Sequence, residues 1–128
     1  MATTLHVPGR ICLFGDKIDI AHKPVIAAAI DMFMEIEAEA LSARRVVLYS
    51  HDFDSTEAFE LGARPNTGAH MKYVQAVAWL LRNRLPEGFS MRVRSGIPIG
   101  AGLSTSAALT VGAIMALDEL FGLGMSRD

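Results

Sequence analysis

The stretch "IPIGAGLSTSAALTVGAIMAL", residues 97–117, constrains the fold of this 128-residue chain more than any other. Its first half holds a proline, two glycines and three hydroxyl side chains, and its second half is apolar and rich in alanine. Proline and glycine disfavour a continuous helix, whereas residues 107–117 favour one. Residues 89–95, "FSMRVRS", alternate in polarity as a β-strand does. The sequence therefore predicts a strand, a glycine-rich loop and a helix in direct succession.

The same apolar stretch raises the question of a membrane span. Residues 95–117 carry no charged side chain over 23 positions, which is nominally long enough to cross a bilayer. Only the second half is strongly helical, and eleven residues are too few to span. We therefore expect no membrane association.

Composition limits the other classes of function. A net charge of −2 and a pI near 6.1 lack the basic surface of a nucleic-acid-binding protein. The single cysteine allows no intramolecular disulfide, and the first ten residues have no signal-peptide core. These features predict a cytoplasmic protein.

Polarity patterns predict an α+β fold. Residues 70–85 place Met71, Val74, Ala78, Leu81 and Leu85 on one helical stripe, and a last helix reaches Phe121. The other segments are predicted to be strands. The first four are residues 4–7 and 10–14, on either side of a Pro8–Gly9 turn, a buried strand at 24–30 and a half-buried strand at 32–40. A strand at 44–50, an edge strand at 55–61 and a strand at 89–95 follow.

A glycine-rich loop that leads into a helix can bind an anion. The first backbone N–H groups of a helix have no partner within the helix, and together with loop N–H groups they suit a phosphate. From these residues alone, a flexible turn before a capped helix is an equally good interpretation. Three common motifs do not match: no lysine stands at the Walker position, Thr105 stands where a dinucleotide fingerprint needs glycine, and Ser106 stands where a nucleophile elbow needs glycine.

The loop does resemble the second motif of the GHMP kinases, the family of galactokinase, homoserine kinase, mevalonate kinase and phosphomevalonate kinase. That motif runs proline, three residues, glycine, leucine, a small residue, two serines and alanine. The residues that match it in register are Pro98, Gly102, Leu103, Ser104, Thr105, Ser106 and Ala107, with threonine for one serine.

The stretch "PGRICLFGDKIDIAHKPVIAAAI", residues 8–30, resembles the first motif of the family in its galactokinase-like form. It departs from that form at Asp16 and Lys17, where the family usually has glutamate and histidine, and at Ile18 and Ile20, where galactokinases have threonine and an aromatic residue. These departures make another sugar or polyol at least as good an acceptor as galactose.

The resemblance implies a fold like domain 2 of ribosomal protein S5, a mixed sheet with packed helices. It also implies transfer of the γ-phosphoryl group of ATP to a hydroxyl of a sugar or related metabolite, with Mg²⁺ as the second cofactor. By the same resemblance, the nucleotide phosphates would be bound by Pro98, Gly100, Ala101, Gly102, Leu103, Ser104, Thr105 and Ser106, with Ser106 as the magnesium contact. Asp16, Lys17 and Asp19 would bind the acceptor, and Arg10 would be a catalytic cation.

Family members are considerably longer than 128 residues, and their catalytic aspartate lies downstream of the second motif. We therefore expect residues 1–128 to be the N-terminal part of such a kinase, incomplete, inactive alone and without the C-terminal domain. Exposed apolar faces would then favour self-association, which agrees with the 51% hydrophobic content. The alternatives are a mevalonate- or phosphomevalonate-type kinase or decarboxylase, and a non-catalytic binding module that keeps the fold.

Overall fold

Two long antiparallel strands form one side of a five-stranded sheet. In the computed structural model, which describes residues 2–14, 26–97 and 105–125, they are β1 (Ala2–Phe14) and β2 (Ile26–Ala40), with Leu5 opposite Ile36. The predicted Pro8–Gly9 turn is wrong, because β1 runs through both residues. As an edge strand, β1 tolerates a proline, which has no N–H to donate. The register shifts between Pro8 and Arg10, whose partners are Phe33 and Ala29, so β2 rather than β1 contains the extra residues.

The other three strands complete the sheet in the order β1-β2-β5-β3-β4. They are β3 (Arg45–Ser50), β4 (Ser55–Glu60) and β5 (Phe89–Ser95), which confirms the predicted strands and the edge position of β4. β5 is antiparallel to β2 and parallel to β3, and β3 is antiparallel to β4. The sheet is therefore mixed, as predicted for the α+β class.

Within the part of the chain that the structure describes, two helices cover one face of the sheet. The first, α1 (Lys72–Leu81), is shorter than the predicted 70–85, because the chain after Leu81 continues as a turn in which the Leu81 carbonyl accepts from the N–H groups of Arg84 and Leu85. The second, α2 (Thr105–Phe121), ends at the predicted residue. α2 packs on β1, β2 and α1.

A single hydrophobic core joins the helices to the sheet. Alternate residues of β2 are buried at Met34, Ile36 and Ala38, as period two predicts, whereas Met32 on the same predicted face is exposed. The whole predicted stripe of the first helix is buried. The opposite face of the sheet is exposed and charged. It carries Glu37 of β2 and Arg92 of β5 as neighbours.

Candidate functional site

The candidate site begins where β5 ends. The Ser95 N–H donates to Oδ2 of Asp52 at 2.8 Å, and the Gly96 N–H donates to the Phe33 carbonyl of β2 at 2.8 Å. Next, the Ile97 N–H donates to Oγ of Ser95 at 3.1 Å, and that hydroxyl donates to the Ile97 carbonyl at 2.8 Å. The Ile97 side chain is 2% exposed. The chain that leads into the predicted phosphate loop is therefore fixed to the sheet.

The site resumes at the start of α2. Ser106 is exposed in the first turn, and its carbonyl accepts a hydrogen bond from the Thr110 hydroxyl at 2.8 Å. Ala108 and Leu109, after the exposed Ala107, are buried in the core, which fixes the first turns against the sheet. The first turn contains no acidic residue. The first N–H groups of a helix have no partner within the helix, and together with the positive end of the helix dipole they favour an anion, with no carboxylate of this turn opposing it.

The predicted site residues fall into two groups. Arg10, Thr105 and Ser106 belong to described strands and helices. The others lie outside the described residues: Asp16, Lys17, Asp19, Pro98, Gly100, Ala101, Gly102, Leu103 and Ser104. The roles assigned to these nine residues remain predictions.

Arg10 lies at the same end of the sheet as the start of the loop. It is two residues beyond Pro8, whose partner Phe33 accepts the hydrogen bond from Gly96. Its side chain is exposed. Because Val7 and Gly9 are buried, the alternation of β1 directs Arg10 toward the face opposite α2. The structure thus places Arg10 at the same end of the sheet as the start of the loop but on the face opposite α2, and its catalytic role remains a prediction.

The turn between β3 and β4, residues 51–54, lies beside the end of β5. His51 Nε2 lies 2.6 Å from Nη2 of Arg94, and Tyr49 donates its hydroxyl to Oδ1 of Asp54 at 3.1 Å. That hydrogen bond is the main reason why the pKa of Tyr49 is raised above its ordinary value, followed by burial and by the negative charge of Asp54. Phe53 stacks on the His70 ring, with centroids 4.5 Å apart. The turn is therefore tied both to β5 and to the segment before α1.

A separate depression of about 160 Å³ lies on the open face of the sheet. Glu35, Glu37, Arg92, Arg94 and Tyr49 are among the residues that line it. Two carboxylates beside two guanidinium groups leave little net charge to attract a triphosphate. The depression is thus a less suitable phosphate site than the start of α2.

The described part of the chain offers few metal ligands. Within residues 2–14, 26–97 and 105–125, no group of three or more His, Cys, Asp or Glu side chains is placed to hold a metal ion. Mg²⁺ in nucleotide sites keeps water and phosphate oxygens as most of its ligands, so one exposed hydroxyl such as that of Ser106 fits as a further ligand. No helix of the described residues is long and apolar enough to cross a membrane.

Comparison with known proteins identifies the class. The family model "GHMP kinases N terminal domain" matches residues 72–128. The chain is 33% identical to the galactokinase of Pyrococcus furiosus over 127 residues, which is 95% of this chain and 35% of that protein. It is 29% identical to the mevalonate kinase of the same organism, over all of this chain and 42% of that protein.

Solved structures agree with the sequence matches. The crystal structure of Lactococcus lactis galactokinase complexed with galactose superposes with a TM-score of 0.89 at 28% identity, over 98% of this chain and 34% of that chain. The Methanococcus jannaschii mevalonate kinase has a TM-score of 0.83 at 24% identity, which shows the shared fold. The fold is that of the N-terminal part of a small-molecule kinase. Residues 72–128 thus match the N-terminal domain of the GHMP kinases, and the chain spans 35% of the P. furiosus galactokinase and 42% of the P. furiosus mevalonate kinase.

Sequence reasoning missed the residues that fix the entry to the loop. Asp52 lies in the polar stretch between the strands predicted at 44–50 and 55–61, and Phe33 contributes through its backbone. The parallel pairing of β3 with β5 brings Asp52 to Ser95, across 43 positions of sequence. No local pattern contains that information.

Proposed function

We propose that this chain forms the ATP-binding N-terminal domain of a small-molecule kinase, comprising residues 1–128, and contributes part of the acceptor site. The single observation that carries the proposal is the strand–loop–helix connection. The loop starts at a point fixed by the hydrogen bond from Gly96 to Phe33, and α2 begins at Thr105 with its first turn free of acidic side chains. The family motif of residues 98–107 occupies the connection between these two points.

In this proposal the chain acts by binding and positioning. Loop N–H groups and the start of α2 hold the triphosphate, and the Ser106 hydroxyl holds the metal ion that accompanies it. Mg²⁺, when bound, neutralises charge on the phosphates. Arg10 supplies a further positive charge, and Asp16, Lys17 and Asp19 bind the acceptor hydroxyls. Phosphoryl transfer depends on positioning and electrostatic stabilisation more than on covalent catalysis, and these groups provide both.

The acceptor is proposed to be a sugar or a related metabolite with a free hydroxyl. Galactokinases supply sequence relatives at 33% and 34% identity, and the galactokinase-like form of residues 8–19 points the same way. A mevalonate kinase matches over the whole chain at 29% identity. A mevalonate-type alcohol is therefore the alternative acceptor. Calorimetric titrations of galactose and of mevalonate into the chain, each with a non-hydrolysable ATP analogue present, decide between the two.

Nucleotide binding itself is tested by calorimetry of the 128-residue chain with the non-hydrolysable ATP analogue, with and without Mg²⁺. We expect magnesium-dependent binding that Ser106→Ala weakens. Ser42→Ala is the matched control, because Ser42 is an exposed serine in the turn between β2 and β3, at the opposite end of the sheet. No binding by a folded sample would contradict the proposal.

The proposal also includes a cytoplasmic location, a lack of phosphoryl-transfer activity in the isolated chain, and self-association through apolar surface. The last is supported by large apolar side chains on both helices, including Leu80, which is 73% exposed, and Val111 and Met115, which are 51% and 47% exposed. Isolated apolar side chains are common on protein surfaces, but Val111 and Met115 lie one turn apart on the same face of α2 and form a continuous strip.

A further inference from the structure

The parallel pairing of β3 and β5 places two connections side by side. Ser50, the last residue of β3, is paired with Val93, and the His51 N–H donates to the Val93 carbonyl at 2.9 Å. The next residue of the turn, Asp52, therefore lies beside Ser95, the last residue of β5. The carboxyl ends of adjacent parallel strands are the usual location of ligand sites in sheets covered by helices.

Asp52 starts a short series of hydrogen bonds that ends at the loop. Its Oδ2 accepts from the Ser95 N–H at 2.8 Å, and Oγ of Ser95 in turn accepts from the Ile97 N–H at 3.1 Å. A hydrogen bond to a carboxylate is stronger than one between neutral groups. The Asp52 side chain thus sets the position of the residue from which the loop departs.

We propose that Asp52 is a positioning residue for the phosphate loop: it fixes the start of the loop through Ser95 and does not itself touch the nucleotide. The inference rests on the nucleotide-binding role proposed above. A small displacement of a binding element lowers affinity, because the phosphate then no longer meets all of the N–H donors. The acceptor oxygen of Asp52 is what matters in this role, and its negative charge is a disadvantage beside a bound triphosphate.

This distinction between acceptor and charge gives a sharp test. Asp52→Asn keeps an oxygen that can accept from Ser95 and removes the charge, so it is expected to bind the ATP analogue with Mg²⁺ within about twofold of the wild type or more tightly. Asp52→Ala removes the acceptor and is expected to bind about fivefold more weakly, a factor that corresponds to about 1 kcal/mol. Glu39→Gln is the matched control, since Glu39 is an exposed carboxylate at the far end of β2, paired with Ser90.

The measurement is calorimetric titration of each variant of the full 128-residue chain, with circular dichroism to verify folding. If Asp52→Ala does not fold, Asp52→Glu replaces it, because one extra methylene moves the acceptor away from Ser95 and the same loss is expected. Equal affinity of Asp52→Ala and the wild type would overturn the inference. So would equal weakening by Asp52→Asn and Asp52→Ala, which would make the charge the important property. A wild type that binds no nucleotide overturns the proposed function and this inference together, whereas a wild type that binds with an unaffected Asp52→Ala overturns only the inference.

Discussion

Gly112 of α2 lies directly against Ile36 of β2, with no room for a side chain between them. A Cβ on Gly112 would collide with Cδ1 of Ile36 and would come within 2.8 Å of Cγ2 of Val7 in β1. The glycine therefore allows the helix backbone to approach both strands. This close approach sets the position of α2, and with it the position of the helix start where the proposed phosphate site lies.

The first prediction concerns Gly112→Ala. In an exposed helix this change would stabilise by about 1 kcal/mol, but here the added methyl group overpacks the core. Overpacking costs about 1–3 kcal/mol and helix propensity returns about 1 kcal/mol, so we expect a net loss of about 1 kcal/mol in the free energy of unfolding, measured by urea titration. Val111→Ala, at the neighbouring exposed position, is expected to change it by less than about 0.5 kcal/mol. A Gly112→Ala protein as stable as the wild type would show that the helix is not packed this closely.

The second prediction concerns Glu57, which caps α1 from the neighbouring strand β4. Its Oε2 accepts from the Met71 N–H at 3.1 Å, and its Oε1 accepts from Nε2 of Gln75 at 2.8 Å. Met71, at the N-cap position, has no cap from its own side chain, and Gln75 is buried. Glu57→Ala leaves both donors without this partner, and we expect a loss of about 1–3 kcal/mol.

Thermal and urea unfolding measure the effect of Glu57→Ala. Glu60→Ala on the same strand serves as the control, because Glu60 is exposed and the described residues provide no side-chain partner for it. Similar stability losses in the two variants would argue against a capping role for Glu57.

The third prediction concerns the ionisation of Tyr49. Its hydrogen bond to Asp54 exists only while the phenol is protonated, so the pKa of Tyr49 is raised above its ordinary value of about 10. Since the folded pKa is the higher one, the contribution of this bond to stability is complete below about pH 10 and is lost as the pH rises through the folded pKa. Arg92 and Arg94 act in the opposite direction but do not reverse the shift.

Absorbance titration in a Tyr73→Phe background follows Tyr49 alone, because the chain has two tyrosines. We expect Asp54→Gly, which removes both the acceptor oxygen and the charge, to lower the midpoint toward about 10, and Glu60→Gln to leave it unchanged. Glycine also tolerates the positive φ of 46° at residue 54. A midpoint that does not respond to Asp54→Gly would mean that the hydrogen bond is absent in solution.

The fourth prediction concerns self-association through α2. The exposed strip of Val111 and Met115 is apolar, and contiguous exposed apolar surface favours contact with another molecule. Sedimentation velocity is expected to show concentration-dependent association of the wild type, which Val111→Lys with Met115→Lys reduces. Lys substitution of Ala43 and Ser42, both exposed in the turn between β2 and β3, controls for added charge. A monomeric wild type at all concentrations would contradict the prediction.

Local patterns in the sequence predicted most of the elements. The alternation around Met34 and Ile36 indicates a half-buried strand, and the spacing of Val74 and Ala78 indicates a helix; both are confirmed. These patterns are visible because buried side chains recur about every two residues in a strand and about every 3.6 residues in a helix. The interpretation of Pro8 as part of a turn failed because a proline is also compatible with an edge strand, and the position of a strand within a sheet depends on long-range pairing.

The candidate site was predictable only in part, for the same reason. The motif of residues 98–107 is contiguous and therefore visible in the sequence. The contact of Asp52 with Ser95 depends on the parallel register of β3 and β5, and the contact of Gly96 with Phe33 depends on the path of β2 beside it. Such contacts follow from tertiary structure, so composition and spacing do not reveal them.

The most direct test of the central claim is to locate the nucleotide on the chain by its effect on backbone amide signals. We would record these signals by nuclear magnetic resonance while adding a non-hydrolysable ATP analogue with Mg²⁺. We expect the largest shifts to cluster between Gly96 and Ser106, whereas Ala43 and Gly88 at the opposite end of the sheet do not move. Shifts that cluster at the opposite end or on the open face around Arg92, or no shifts from a folded protein, would contradict it.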